Sequence, residues 1–130
     1  MDTESQVYTM YYDDQLQAVI MAWDGYATSS QFREGTEYML EMLIQHKAQK
    51  VLGDIQKMLM LGMEDQKWLE YNFLPRAIQH GFRFIAFLWP ENYFNKVAVE
   101  SVSHLVDKDK LDIRFFDERK KAEEWLMLMT

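Results

Sequence analysis

Cysteine is absent from this sequence of 130 residues. Its absence excludes disulfide bonds, thiolate nucleophiles and the cysteine ligands of zinc and iron–sulfur centres. The absence of cysteine fits a reducing compartment, although secreted proteins can also lack this residue. Proline and glycine are also scarce, with two and five residues, so few positions interrupt regular secondary structure.

Long apolar runs are missing as well. No stretch approaches the roughly 20 apolar residues that a membrane-spanning helix requires. Residues 1–6 are polar and acidic, and they have neither the basic end nor the apolar core of a signal peptide. We therefore expect no membrane span and a cytoplasmic location.

Basic residues are outnumbered by acidic ones. The chain has 14 lysine and arginine residues against 21 aspartate and glutamate residues, which gives a net charge of −7. Such a chain repels phosphate backbones, and no basic stripe offsets the balance. We therefore expect no nucleic-acid partner.

Apolar and aromatic residues, by contrast, are abundant. They make up 48% and 15% of the chain, which is ample material for a core. The length lies within the usual range of one domain. We predict a single domain over residues 6–128, with a disordered or extended N-terminus over residues 1–5.

Short β-rich runs alternate with segments of helical periodicity. Strands are predicted over residues 6–12, 16–23, 50–55, 82–89 and 111–116. Helices are predicted from Thr28 to about His46, from Asp65 to His80, around residues 94–105, and after Asp117. The order β-β-α-β-α-β-α-β-α predicts an α/β fold with a mixed, mostly parallel five-stranded sheet and four helices. The first two strands are expected to form an antiparallel hairpin.

Local sequence features add detail to three of the predicted helices. Thr28 and Gln31 have the spacing of a capping box, which predicts a helix start. Pro75 predicts a kink or break near Phe73, because proline removes a backbone donor and clashes with the preceding turn. In the third helix the apolar positions predict a buried stripe, made of Phe94, Val97, Ala98, Ser101 and Leu105.

Several segments resemble the STAS domain family, and more closely its SpoIIAA-like bacterial branch, whose architecture is shared with CRAL-TRIO-type lipid-binding domains. The resemblance covers roughly residues 6–127. It is carried by Trp23-Asp24-Gly25, Val51-Leu52-Gly53-Asp54, Trp68-Leu69, Pro75-Arg76, Gly81, Phe84-Ile85-Ala86, Phe115-Phe116-Asp117, Ala122 and Trp125-Leu126. It implies a non-catalytic regulatory or scaffold domain that acts through protein–protein contacts. The CRAL-TRIO likeness implies, as the alternative, a carrier of a small apolar ligand such as a lipid or fatty acid.

One departure from the resemblance concerns regulation. Partner-switching STAS domains carry a phosphorylatable serine or threonine after the third strand. Here the corresponding stretch, residues 54–58, contains no hydroxyl side chain. We therefore expect the domain to act without that phosphorylation switch.

The least ordinary segment is the apolar run over residues 58–63, which contains three methionines between a predicted strand and a predicted helix. Loops in that position are normally solvated, and methionine adapts to irregular partners. The resemblance places the partner-facing surface of STAS domains in this region. The alternatives are a protein-binding surface, a homodimer contact, the lid of an apolar pocket that also includes Phe73, or an extra helical turn packed on the core. The candidate binding residues are Asp54, Met58, Leu59, Met60, Leu61, Met63 and Trp68.

Acidic residues are expected at the carboxyl edge of the sheet, where open α/β folds bind ligands. These are Asp24, Asp54, Glu91 and Asp117. Glu91 and Asp117 are interpreted as helix caps. Asp54 is kept as a candidate because it follows Gly53, where the resemblance places the switch.

Catalytic and metal-binding signatures are not found. The sequence has no glycine-rich phosphate loop and no nucleophile elbow. A nucleophilic set is conceivable only from Ser101 or Ser103 with His104 and Asp107. The three histidines have no metal-ligand spacing, since His46, His80 and His104 lie far apart. We predict no enzyme activity, no catalytic residues, no metal and no cofactor.

Overall fold

A computed structural model describes residues 7–59 and 61–129. The predictions about residues 1–5 and Met60 lie outside the described residues. The strands are β1 (Tyr8–Asp13), β2 (Ala18–Tyr26), β3 (Lys50–Leu59), β4 (Phe84–Leu88) and β5 (Asp112–Phe116). The helices are α1 (Ser29–His46), α2 (Met63–Trp68), a π-helical segment (Leu69–Phe73), α3 (Leu74–Gln79), α4 (Tyr93–His104) and α5 (Arg119–Leu128).

The five strands form one sheet in the spatial order β1-β2-β3-β4-β5. β1 runs antiparallel to β2, and every other neighbouring pair is parallel. Since α2, the π-helical segment and α3 follow one another without a break, the described part of the chain has four helices. The predicted α/β fold is confirmed.

The sheet has two apolar faces with different covers. We call the side covered by α1, by the α2–α3 helix and by α4 the cavity face. Val19, Val51 and Ile85 point to it. We call the other side the α5 face, because among the described helices it is α5 that packs there, over Ile20 and Leu52. The alternation of side chains along each strand produces this division.

Helix α1 begins as predicted. The Thr28 hydroxyl accepts a hydrogen bond from the Gln31 backbone N–H, and the Gln31 side chain accepts one from the Thr28 N–H. Gly35 lets α1 approach the sheet, because a Cβ there would lie 2.7 Å from the Trp23 ring. The helix therefore packs directly against the aromatic side chains of β1 and β2.

The predicted irregularity near Phe73 appears as the π-helical segment. The Leu74 N–H bonds to the Leu69 carbonyl, five residues earlier, and the helix then continues through Pro75. A wider turn at this point accommodates a proline that has no backbone N–H. The helix is therefore irregular but unbroken, and Phe73 is turned into the core with 1% of its surface exposed.

Two predicted caps are wrong. Asn92, not Glu91, caps α4, and its side-chain oxygen accepts a bond of 3.1 Å from the Asn95 N–H. Glu118, not Asp117, is the N-cap residue of α5, and its side chain makes no capping bond. In both cases the helix begins one residue later than the acidic residue suggests.

The predicted stripe of α4 is also placed differently. Phe94, Val97 and Leu105 are 75%, 44% and 63% exposed. The buried positions of α4 are instead Asn95, Ala98 and Val102. Its smaller side chains face the sheet, and its larger ones face outward.

Candidate functional site

Strand β3 is longer than predicted and contains a bulge. Ala22 pairs with Asp54 and Asp24 pairs with Lys57, so β3 has one extra residue opposite Trp23. An extra residue reverses the alternation of side chains beyond it. As a result Met58 points to the cavity face, where it is buried, and Leu59 points outward and is 48% exposed.

Asp54 supports this bulge. Its carboxylate accepts a hydrogen bond of 3.2 Å from the Gln56 backbone N–H, and the Gln56 carbonyl accepts a bond from the Glu91 N–H. Asp54 is half-buried and does not line the cavity described below. The structure therefore places Asp54 apart from Met58, as a residue that holds the irregular strand.

An apolar cavity of about 90 Å³ lies between the sheet and the helices on the cavity face. Its floor includes Ile55 and Met58, and α4 contributes Val102 to its wall. The other residues that line it are Met21, Trp23, Phe32, Thr36, Met39, Leu61, Leu69, Phe73, Leu74, Phe82, Ile85, Phe87, Val99, Ser103, Leu111 and Ile113. Of the predicted candidates, the cavity brings together Met58 and Leu61, together with Phe73.

Only two hydroxyl groups are found among the cavity-lining side chains, and both have partners in their own helices. Thr36 donates to the Phe32 carbonyl at 2.7 Å, and Ser103 donates to the Glu100 carbonyl at 2.7 Å. A molecule in the cavity would therefore find mainly apolar contacts. This chemistry suits an apolar guest and offers no anchor for a charged one.

Asn95 joins α4 to the end of β3 and to Leu61. It is 1% exposed, its amide nitrogen donates to the Met58 carbonyl, and its amide oxygen accepts from the Leu61 N–H at 2.8 Å. Both hydrogen bonds are buried or partly buried, so they hold the first turn of α4 against Met58 and Leu61. Asn95 was not predicted as a site residue, because a polar residue next to an apolar stripe gives no signal of burial in the sequence.

Trp68 lies in an aromatic cluster beside the cavity and does not line it. Its ring stacks on Phe73 at 5.5 Å and meets Phe32 edge-on at 6.2 Å, and both of these residues line the cavity. The Arg33 guanidinium lies 5.3 Å from the Trp68 ring and bonds to buried Asp65. These contacts fix α2 against α1.

Several large apolar side chains are exposed at the carboxyl edge of the parallel strands. Tyr26 and Leu59 are register neighbours at the ends of β2 and β3. Met63 begins α2 and Tyr93 begins α4. Their exposures range from 48% to 71%. We call these four residues the apolar rim, and they include the candidates Leu59 and Met63.

The rim adjoins a second exposed surface along α4, which we call the α4 stripe: Phe94, Val97 and Leu105. The Phe94 ring lies 5.9 Å from Tyr93 of the rim. Spacings of three and eight residues place the stripe on one side of the helix. These three positions were predicted from the sequence as part of a buried stripe, and the structure exposes them.

The side chains considered for catalysis are not brought together by hydrogen bonds. Ser103 bonds to its own helix, and the Asp107 carboxylate accepts from the Asp109 N–H. His46 stacks on Tyr12, with ring centroids 3.9 Å apart. Within residues 7–59 and 61–129, no group of three or more metal-ligating side chains lies close enough to hold an ion. In the same ranges, no helix has the length and apolar character to cross a bilayer.

Comparisons with known proteins give a structural likeness. Neither a family model nor a curated protein matches the chain. An uncharacterised protein of the DUF3478 family with a SpoIIAA-like fold, from Shewanella loihica PV-4, superposes with a TM-score of 0.63 at 17% identity, over 97% of this chain and 98% of that one. The solution structure of TM1081 gives a TM-score of 0.64 at 14% identity, over 99% and 95%. The chain therefore has a SpoIIAA-like fold, in agreement with the resemblance found in its sequence.

Proposed function

We propose that this protein is a non-catalytic regulatory or scaffold module of STAS type that binds another protein through the apolar rim and the α4 stripe. The observation that carries the proposal is the exposure of Phe94 and Tyr93, at 75% and 71%, in the turn of α4 that Asn95 bonds to Met58 and Leu61, which are close in the chain to exposed Leu59 and Met63. Contiguous apolar surface of this kind marks interaction sites on soluble proteins.

The position of the surface agrees with the fold. Ligands of open α/β sheets bind outside the carboxyl ends of the strands, and the rim lies at that edge. The helix that follows β3 begins at Met63, and residues 54–65 contain no serine or threonine. The proposed module therefore works without a phosphorylated hydroxyl in this segment, and its affinity comes from apolar contact.

The test is a paired substitution on the α4 stripe. Phe94→Glu with Val97→Glu changes two exposed side chains, so folding should be preserved while a partner from the source cell is no longer retained. The matched control is Tyr71→Glu with Leu128→Glu, since these side chains are 75% and 77% exposed elsewhere on the molecule.

The proposal predicts that the wild type and the control retain the same partner and that the stripe variant loses it. Circular dichroism and the melting temperature check that all three proteins fold alike. Equal retention by the stripe variant would contradict the proposal.

A second function is favoured by the apolar cavity: carriage of a small apolar ligand such as a fatty acid. An apolar cavity of about 150 Å³ accepts benzene. The present volume of about 90 Å³ holds a smaller group, so a longer chain requires α4 to move outward. Asn95 is the residue that resists such a movement, through its bonds to Met58 and Leu61.

Native mass spectrometry of freshly purified protein tests this second function. If the protein carries an apolar ligand, the wild type should co-purify with an apolar molecule. The double variant Val99→Leu with Val102→Leu should lose that molecule, because the added methylene groups fill the cavity. A clean mass for the wild-type protein, with no thermal shift across a panel of fatty acids, would contradict it.

A further inference from the structure

The outer edge of the sheet beyond β4 is formed by β5. In the part of the chain that the structure describes, β5 pairs with β4 and with no other strand. An open cleft of about 400 Å³ runs beside β5, and Trp89, His104 and Phe115 are among the residues that line it. The edge of β5 is therefore accessible on the cavity face, and an accessible edge strand is a template for pairing with another strand.

The direction of the backbone groups along β5 follows from its bonds to the body of the protein. The Asp112 N–H donates to the Arg83 carbonyl, and the Phe116 carbonyl accepts from the Trp89 N–H. Residues 112 and 116 therefore direct their backbone groups inward. Because these groups alternate along a strand, Ile113 and Phe115 direct theirs toward the open edge.

We infer that β5 pairs antiparallel with β5 of a second copy of this chain, across a two-fold axis at Ile113. A closed dimer with identical surfaces requires the antiparallel direction. At the axis the two Ile113 residues exchange both of their outward backbone hydrogen bonds. On either side, Leu111 of one copy lies opposite Phe115 of the other.

Charge complementarity favours a second copy of the chain as the partner of β5, and it favours the register with the axis at Ile113. With the axis at Ile113, Asp112 of each copy lies directly opposite Arg114 of the other. These positions are non-hydrogen-bonded pairs, where side chains come closest. Moving the axis to residue 112 or 114 would instead place like charges opposite each other.

Side-chain positions within one copy are consistent with this exchange. Arg114 is 55% exposed at its side chain, and it lies 3.4 Å from its own Asp112. Because the Arg114 side chain is more than half exposed and that of Asp112 is 28% exposed, solvent screens this pair, and its replacement by an intermolecular pair costs little. The paired edges would form one continuous sheet of two copies.

Sedimentation equilibrium of the full chain over a range of concentrations, at low salt, tests this dimer. The wild type is expected to dimerise. Arg114→Asp places Asp opposite Asp at two positions, and Asp112→Arg places Arg opposite Arg, so each variant should dimerise about tenfold or more weakly. An equimolar mixture of the two variants should recover dimerisation, because every opposite pair is then of unlike charge.

The controls carry the same charge changes at exposed positions elsewhere, Lys120→Asp and Asp14→Arg, and they should dimerise like the wild type. Circular dichroism confirms that every variant is folded. A wild type that stays monomeric at its highest soluble concentration overturns the inference. So does a dimer that both β5 variants leave unchanged, or a mixture of folded variants that does not associate.

Discussion

The two faces of the sheet are covered in different ways. On the α5 face, three of the buried residues are alanines: Ala18, Ala86 and Ala122 have no exposed surface, and Trp125 and Leu126 of α5 pack among them. Small side chains let the α5 backbone come close to β3, β4 and β5. One helix of ten residues is therefore sufficient to close this side of the sheet.

On the cavity face the side chains are large. Trp23, Phe32, Trp68 and Phe73 form a chain of ring contacts between β2, α1 and the π-helical segment. A cavity remains beside these rings, because the inward residues of α4 are small and do not fill it. The face with the larger apolar side chains is therefore the less completely filled. It also carries both proposed binding functions.

The largest expected difference between the faces is in how much the free energy of unfolding falls when a leucine side chain is truncated to alanine. Leu126→Ala on the α5 face should lower the free energy of unfolding by about 2–5 kcal/mol, because a close-packed site cannot collapse around the new void. Leu69→Ala, on the wall of the existing cavity, should cost less, since Leu69 is only half-buried. Urea unfolding of both variants measures the two costs, and equal losses would contradict the comparison.

Enlarging a side chain should reveal the same difference in packing between the two faces. Ala122→Leu forces three further carbons into the α5 face and should cost about 1–3 kcal/mol of stability. Thermal and urea unfolding measure the loss. A stable Ala122→Leu variant would mean that the α5 face also contains unfilled space.

The corresponding change on the cavity face should have the opposite sign. Val102→Leu adds one methylene group toward the cavity and should stabilise the fold by about 0.5–2 kcal/mol, as cavity-filling substitutions commonly do. The same unfolding measurements apply, with Val97→Leu on the exposed α4 stripe as the matched control that should change little. Destabilisation by Val102→Leu would show that the space is not available to a side chain.

The smallest predicted effect concerns a charge on the α5 face. Lys50 is 8% exposed, and its ammonium group donates to the carbonyls of Leu126 and Met129 at 2.8 and 3.3 Å. Burial lowers the pKa of Lys50 from its ordinary value of 10.5. The unfolded chain therefore binds this proton more tightly than the folded chain, and stability should rise as pH increases from the folded toward the unfolded pKa.

Comparison with Lys50→Met isolates that contribution. The difference in unfolding free energy, wild type minus variant, should grow as pH is raised from about 7 to about 10, because only the wild type gains from deprotonation at residue 50. Urea titrations at several pH values measure it. A difference that falls with pH would reverse the predicted sign.

The order of elements was predictable from the sequence, because each strand and helix has its own periodicity and a clear boundary. The capping box at Thr28 and the irregularity before Pro75 were confirmed for the same local reason. The α4 stripe was not predictable, since the more apolar side of a helix is normally the buried one. Here the smaller residues Asn95, Ala98 and Val102 face inward and leave the cavity unfilled.

The sequence also could not predict which way the candidate side chains after Asp54 point. A strand ending at residue 55 was predicted, whereas β3 continues to Leu59 by pairing with β2. The bulge then decides which side chains enter the cavity, and a one-residue insertion in a strand leaves no pattern of its own. Met58 and Leu59 consequently have opposite environments. The candidate role of the segment in binding stays a prediction.

Xenon placed in the protein under pressure tests the difference between the faces most directly, because apolar cavities take up this atom without any polar anchor. Crystals or solution NMR of the wild type should report xenon beside Met58, Phe73 and Val102, and the Val102→Leu variant should bind less. The α5 face should take up none. Xenon on the α5 face, or none beside Met58 and Phe73, would contradict the account.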